Sequence, residues 1–292
     1  MSVGLFLGKI FGAFALFMAT FLPGIMPYFV LSYFSSNHDK LFSLMNCFAG
    51  GVFLATSFLD LMPEVSEDYK SLLNKTRDLH FHTQTAKEFP ISELVVICGV
   101  VFIIIIDQLS YYIKQINDKR ALKRRLSTAR RHSREAILEN KDSSQVMLLL
   151  ISLSIHSVFA GLPIGMMKTI REIIDILFSL VIHKVILAIS IGSTLAQQMR
   201  SKKTFFLSVI FLSAGTPVGV LLSMSISSSD NSIIGEYIYV ISLAFATGTF
   251  VYITFFEILS PEFSTRRWML QKTILLISGV LVVICSIILV PS

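Results

Sequence analysis

Eight apolar runs separated by polar turns leave this chain little choice of fold. They are Gly4–Phe34, Leu41–Met62, Ile91–Ile113, Val146–Met167, Ile173–Met199, Thr204–Ile226, Glu236–Leu259 and Leu270–Val290. About 20 apolar residues cross a bilayer as a helix. In lipid the backbone has no water to bond, so runs of this length close their own hydrogen bonds as helices. The sequence therefore predicts an all-α polytopic membrane protein with eight transmembrane helices, residues 1–292 forming one transmembrane domain. Charged residues make up 15% of the chain, against about 25% in soluble proteins. Cys47, Cys98 and Cys285 all fall within apolar runs. Small buried hydrophobes are expected there, not a disulfide framework.

The first run is too long for the apolar core of a signal peptide, and no small-residue cleavage site follows it. That predicts a retained helix, broken or tilted near Pro23-Gly24, with Lys9 snorkelling to the surface. Eight spans put both termini on one side. The loops after helices one, three, five and seven hold 17 Lys/Arg, and those after helices two, four and six hold six. The excess of positive charge places the odd loops in the cytoplasm and both termini outside it. Residues 114–144, with ten Lys/Arg against four acids, are the main determinant. This basic cytoplasmic loop is expected to attract anionic lipid, and no nucleic acid. The sequon Asn74-Lys75-Thr76 lies in the polar segment Val65–Pro90, on the non-cytoplasmic face, where Asn74 is open to glycosylation. His80 and His82 in the same segment are a low-specificity signal for collecting metal.

The fourth and fifth runs carry the unusual chemistry. Ser154-Ile155-His156-Ser157-Val158-Phe159-Ala160-Gly161-Leu162-Pro163-Ile164-Gly165 puts a histidine, two serines, two glycines and a proline inside one span. Ile182-His183-Lys184-Val185 puts a second histidine inside the next. Lipid offers such side chains no partners, so they face protein, water or a bound ion. Neutral imidazole binds zinc and similar divalent ions at about 2.0–2.1 Å. Two readings stand side by side: a cation site built from His156 and His183, or histidines that hydrogen-bond neighbouring helices. Residues four apart share a helix face, but the residues four past the histidines are Ala160 and Leu187. Each helix thus offers one strong ligand, with Ser157 and backbone carbonyls as weaker oxygens. Lys184 has to snorkel, pair with an acid or be neutral. Asp60 near the outer end of helix two and Glu257 near the cytoplasmic end of helix seven are either interfacial charges or stations on a cation pathway.

These residues resemble the ZIP (Zrt/Irt-like) family of divalent-metal transporters, the branch with His-Ser on helix four and His-Lys on helix five. Phe48-Ala49-Gly50-Gly51-Val52-Phe53-Leu54-Ala55-Thr56 is similar to that family's second helix, and Thr216-Pro217-Val218-Gly219 to its sixth. Ala246-Thr247-Gly248-Thr249-Phe250, continuing to Glu257-Ile258-Leu259, is similar to its seventh. The resemblance implies that helices one to three and six to eight are inverted repeats around helices four and five. It implies a metal site near the midplane with His156 and His183 as ligands, a single metal because Lys184 takes the second position, and Glu257 on the release side. Zn²⁺, or Fe²⁺, Mn²⁺ or Cd²⁺, would be the transported substrate, moved toward the cytoplasm. A plasma membrane is expected ahead of an intracellular one, and the small-residue faces suit a homodimer.

The chain departs from that pattern at Ala160, where the family usually has Glu. The site loses a carboxylate while keeping the Lys184 cation. A zinc transporter with altered affinity or selectivity is the leading expectation. A ZIP-like regulator or metal sensor that does not transport is the alternative. An enzyme is not expected: no acid lies at helical spacing to orient His156, and Ser157 points about 100° away around the helix.

Overall fold

The computed structural model describes residues 3–33, 38–77, 89–126, 133–199, 201–226 and 232–289. His80, His82 and the middle of the basic segment, residues 127–132, lie outside them. Among the described residues, eight helices are long and apolar enough to cross a membrane. We number the segments α1 (Val3–Tyr33), α2 (His38–Ala55), α3 (Met62–Arg77), α4 (Ile91–Leu126), α5 (Ser133–Met166), α6 (Ile170–Gln198), α7 (Lys202–Ile226), α8 (Ser232–Tyr252), α9 (Ser260–Ser264) and α10 (Met269–Leu289). A π-helical turn, Thr56–Leu61, joins α2 to α3, and a second, Ile253–Leu259, joins α8 to α9.

Four expectations need correction. Helix one is continuous through Pro23 and Pro27. The segment after Met62 is not a loop at its start: α3 carries the second span on to Arg77, and exposed Asn74 sits on that helix. The basic segment is largely helical, because α4 runs on to Leu126 and α5 begins at Ser133. Polar composition marks where a helix leaves lipid, not where its backbone bonds stop. Lys9, finally, does not snorkel. It is buried, and its ammonium donates to the Gly165 carbonyl at 2.6 Å. Gly165 lies in the last turn of α5, where carbonyls lack helical partners and the dipole is negative, so the lysine caps that helix.

The helices sort into two bundles. In one, α1 packs on α6 and α7, and α5 packs on α7. In the other, α2 packs on α10 and α4 on α8, with α2 also against the second π turn. The bundles meet where α5 lies against α8 and α2 against α6. The membrane part of α5 is the most deeply buried span, while α4 and α10 turn most of their surface outward.

Glycines set the close approaches. A side chain on Gly51 of α2 would collide with the Leu276 carbonyl of α10, and one on Gly279 of α10 with the Phe48 carbonyl of α2. In the other half of the same bundle, Gly99 and Gly248 meet the Phe245 and Val96 carbonyls in the same reciprocal way. Gly161 of α5 and Gly219 of α7 do likewise with Thr216 and Val158. These small-residue faces are used within the chain, so they no longer argue for a homodimer.

The pattern has a source in the sequence. Phe48-Ala49-Gly50-Gly51-Val52-Phe53, continuing to Phe58-Leu59-Asp60-Leu61-Met62-Pro63-Glu64, aligns with Phe245-Ala246-Thr247-Gly248-Thr249-Phe250, continuing to Phe255-Phe256-Glu257-Ile258-Leu259-Ser260-Pro261-Glu262, with one extra residue in the second copy. Each copy contains one of the π turns. Equivalent side chains touch: the Phe53 and Phe250 ring centroids are 5.3 Å apart, and those of Phe58 and Phe255 6.3 Å.

Backbone contact leaves no room for a β-carbon, so Gly219→Ala should cost about 1–3 kcal/mol through overpacking. Gly235 has no neighbouring heavy atom within 4 Å of such a carbon, and Gly235→Ala should be neutral or slightly stabilising. Thermal unfolding of the two purified variants in detergent checks the contrast.

Candidate metal site

His156 sits in the buried middle of α5, and α8 supplies its surroundings. Its Nδ1 lies 3.0 Å from the Ala246 carbonyl oxygen and 3.1 Å from Thr249 Oγ1. Its ring stacks on Phe250, with centroids 4.9 Å apart and planes 20° from parallel. Ala246, Thr249 and Phe250 are spaced i, i+3 and i+4, so one face of α8 provides all three. His183, buried on α6, packs against the other histidine's neighbour: its centroid is 5.8 Å from that of Phe250. The two sequence-predicted ligands therefore come from consecutive spans to the same phenylalanine.

The remaining predicted residues divide. Ser157 is buried at the α5–α7 seam, where a β-carbon on Gly215 would lie 2.9 Å from its own. One residue from His156, it faces a different helix, as the 100° step requires. Lys184 is fully buried and donates to Thr216 Oγ1 on α7 at 2.8 Å. Among the described residues no carboxylate pairs with it. Ala160, also buried, adds only a methyl one turn past His156. Among the described residues there is no group of three or more His, Cys, Asp or Glu side chains placed to hold a metal ion. The arrangement offers two imidazoles, neutral oxygens and a nearby ammonium.

Asp60 and Glu257 are not at this centre. Each is half-buried in one of the π turns, at matching places in the two repeat copies. π turns open the helical ladder and recur at functional positions. Glu257 has Asp107 of α4 near enough for their charges to interact, and Asp107 in turn accepts from the Tyr252 hydroxyl.

A further polar cluster escaped sequence reasoning. Lys272, which sequence reading takes as a charge at the edge of the last span, is buried at the start of α10, 3.2 Å from Glu262 Oε2 and bonded to the Glu262 carbonyl at 2.5 Å. The same carboxylate accepts from Ser43 and, at 2.9 Å, from Asn46 of α2. Asn46 accepts from Ser190 of α6, also at 2.9 Å. Lys272, Glu262, Ser43 and Asn46 border a cavity of about 250 Å³ that Gln197, Thr265, Arg267 and Trp268 also line. At the opposite end, Lys75 and Lys168 both reach Glu236, at 2.7 and 2.8 Å, across exposed surface. The signal that could have found Glu262 is the internal repeat, which pairs it with Glu64.

Comparison with known proteins decides what this arrangement belongs to. The family model described as ZIP Zinc transporter matches residues 6–287. The chain belongs to the ZIP zinc transporter family. Relatives of this ZIP protein include human zinc transporter ZIP1, 29% identical over 90% of this chain and 85% of that protein. Bovine ZIP3 is 26% identical over 95% of this chain and 96% of its own length. Human ZIP2 is 24% identical, with 91% and 93% covered.

The Lys272–Glu262 cluster of this ZIP protein is a buried ion pair with a side-chain network around it. Removing one partner of such a pair strands the other charge and costs about 3–5 kcal/mol. Glu262→Ala should therefore lower the unfolding temperature clearly, and Glu262→Ala combined with Lys272→Met should recover most of the loss. Thermal unfolding of the purified single and double variants measures both.

Proposed function

We propose that this chain carries Zn²⁺ toward the cytoplasm through a site formed by His156 and His183 between α5 and α6. The observation that carries the proposal is the convergence of two buried imidazoles, from consecutive spans, on Phe250. A neutral imidazole is a good ligand for zinc and Fe²⁺, also binds Cd²⁺, and binds Mn²⁺ more weakly, so selectivity among these ions rests on what surrounds the pair. With no carboxylate at position 160 and an ammonium at Lys184, the site binds one ion and binds it more weakly than an acid-containing site would. Asp60 and Glu257 serve as acidic stations on opposite sides of it. Transport proceeds without covalent chemistry on the cargo.

The inverted-repeat reading draws support from the packing. Exchanging spans one to three with spans six to eight, and span four with span five, turns the contact α1–α6 into α7–α5. It turns α2–α10 into α8–α4, and α5–α8 into α6–α2. His156-Ser157-Val158, leading to Ile164-Gly165, has its counterpart in His183-Lys184-Val185, leading to Ile191-Gly192. Both termini then lie outside the cytoplasm, in a plasma membrane, and Asn74 is exposed on the outer side. Asn74→Gln should remove a glycan-sized mobility shift from the protein made in cells with a secretory pathway. A parent protein with no glycan leaves the sidedness to be tested by terminal tags.

Radiolabelled zinc uptake at matched surface expression tests the transport reading. Uptake by the parent should saturate and fall at least about tenfold in His183→Ala, as expected for loss of a strong ligand. Ala160→Glu should lower the apparent KM. The second reading, a ZIP-like regulator or metal sensor that does not transport, is favoured by the missing carboxylate beside an uncompensated lysine. Uptake seen only in Ala160→Glu would select it.

A further inference from the structure

One hydroxyl decides how His156 is held. Thr249 has a single proton to give, and it gives it to the Ala246 carbonyl at 2.7 Å. Its oxygen therefore faces His156 Nδ1 as an acceptor, at 3.1 Å. The Ala246 carbonyl, 3.0 Å from the same nitrogen, can only accept. Two acceptors converge on Nδ1, so Nδ1 carries the ring proton and Nε2 carries the lone pair. Phe250 fixes the plane of the ring through its stacked contact. All of these groups are buried, which removes water as a competing partner.

From this geometry we infer that Thr249, with the Ala246 carbonyl, is the positioning pair for His156: it sets the tautomer and aims Nε2 at the transported divalent cation. The inference rests on the proposed metal site and adds a residue that touches no metal. Metal-bound imidazoles depend on such a partner for orientation and basicity, and losing it costs about 10–100-fold in affinity. The internal repeat offers a natural comparison. The position equivalent to Thr249 in the first copy is Val52, which has no hydroxyl. One copy of the repeat thus carries an acceptor where the other carries a methyl. The fold accepts valine at this place in the helix, so Thr249→Val removes the hydroxyl with little change of shape.

The test is equilibrium Zn²⁺ binding to the purified full chain in detergent, by titration calorimetry, which does not depend on turnover. Thr249→Val should weaken binding about 10–100-fold, and Thr249→Ser, which restores the hydroxyl, should return it to within about twofold of the parent. The unfolding temperature of Thr249→Val should stay close to the parent's. His156→Ala is run alongside. If it abolishes binding while Thr249→Val matches the parent, the positioning role is wrong and the site stands. Binding by Thr249→Ser as poor as that by Thr249→Val would overturn the positioning role as well. If His156→Ala binds like the parent, the site itself is wrong and the inference goes with it.

Discussion

A charged or polar side chain inside a bilayer must be satisfied by protein, at a cost of several kcal/mol if it is not. Lys9, Lys184, Lys272 and His156 are among the basic side chains buried between apolar helices that put this demand on the fold. Lys9 is met by the Gly165 carbonyl, Lys184 by Thr216, Lys272 by Glu262, and His156 by Ala246 and Thr249. In three of these the partner belongs to another membrane span, and in the fourth to the segment that leads into α10. The helices therefore cannot shift independently: each polar contact fixes where a neighbour crosses. Glycines let the backbones come close enough for contacts of this length, since a β-carbon at Gly161 or Gly219 would strike a carbonyl of the facing helix.

The His156 contact differs from the others because it joins the two bundles. α5 belongs to one and α8 to the other, so the bond that aims the imidazole also ties the bundles together. Asn46 of α2 and Ser190 of α6 make another such tie. Any sliding of one bundle on the other has to break or shift these contacts. If His156 holds the cargo as proposed, one imidazole ring would couple cargo to conformation, because its Nδ1 faces the opposing bundle.

Much of this was legible in the sequence. Apolar length is a local property, so seven of the eight spans fall within about five residues of their expected bounds, while the second runs on to Lys75. His156 and His183 stand out in the sequence because histidine in lipid is costly. Helix ends were less legible: polarity marks where the chain leaves the apolar region near Met62 and Ile113, while the helices continue to Arg77 and Leu126. The fate of Lys9 depended on where α5 ends, which no feature near Lys9 reports. Ala246 contributes a backbone carbonyl and carries no mark in its side chain. Thr249 was visible only as one of several small polar residues on helix seven. The repeat linking Phe48–Glu64 to Phe245–Glu262 was the signal that would have paired the π turns and drawn attention to Glu262. It is spread over two distant segments and interrupted by one extra residue, so motif-by-motif reading passes over it.

X-ray absorption at the zinc edge of the zinc-loaded protein tests the two-histidine site most directly. Nitrogen at about 2.0–2.1 Å, with outer-shell scattering from two imidazole rings, is the expected result, and His183→Ala should leave one ring. A zinc ion bound without imidazole scattering, or with both rings still present in His183→Ala, would contradict a site built on His156 and His183.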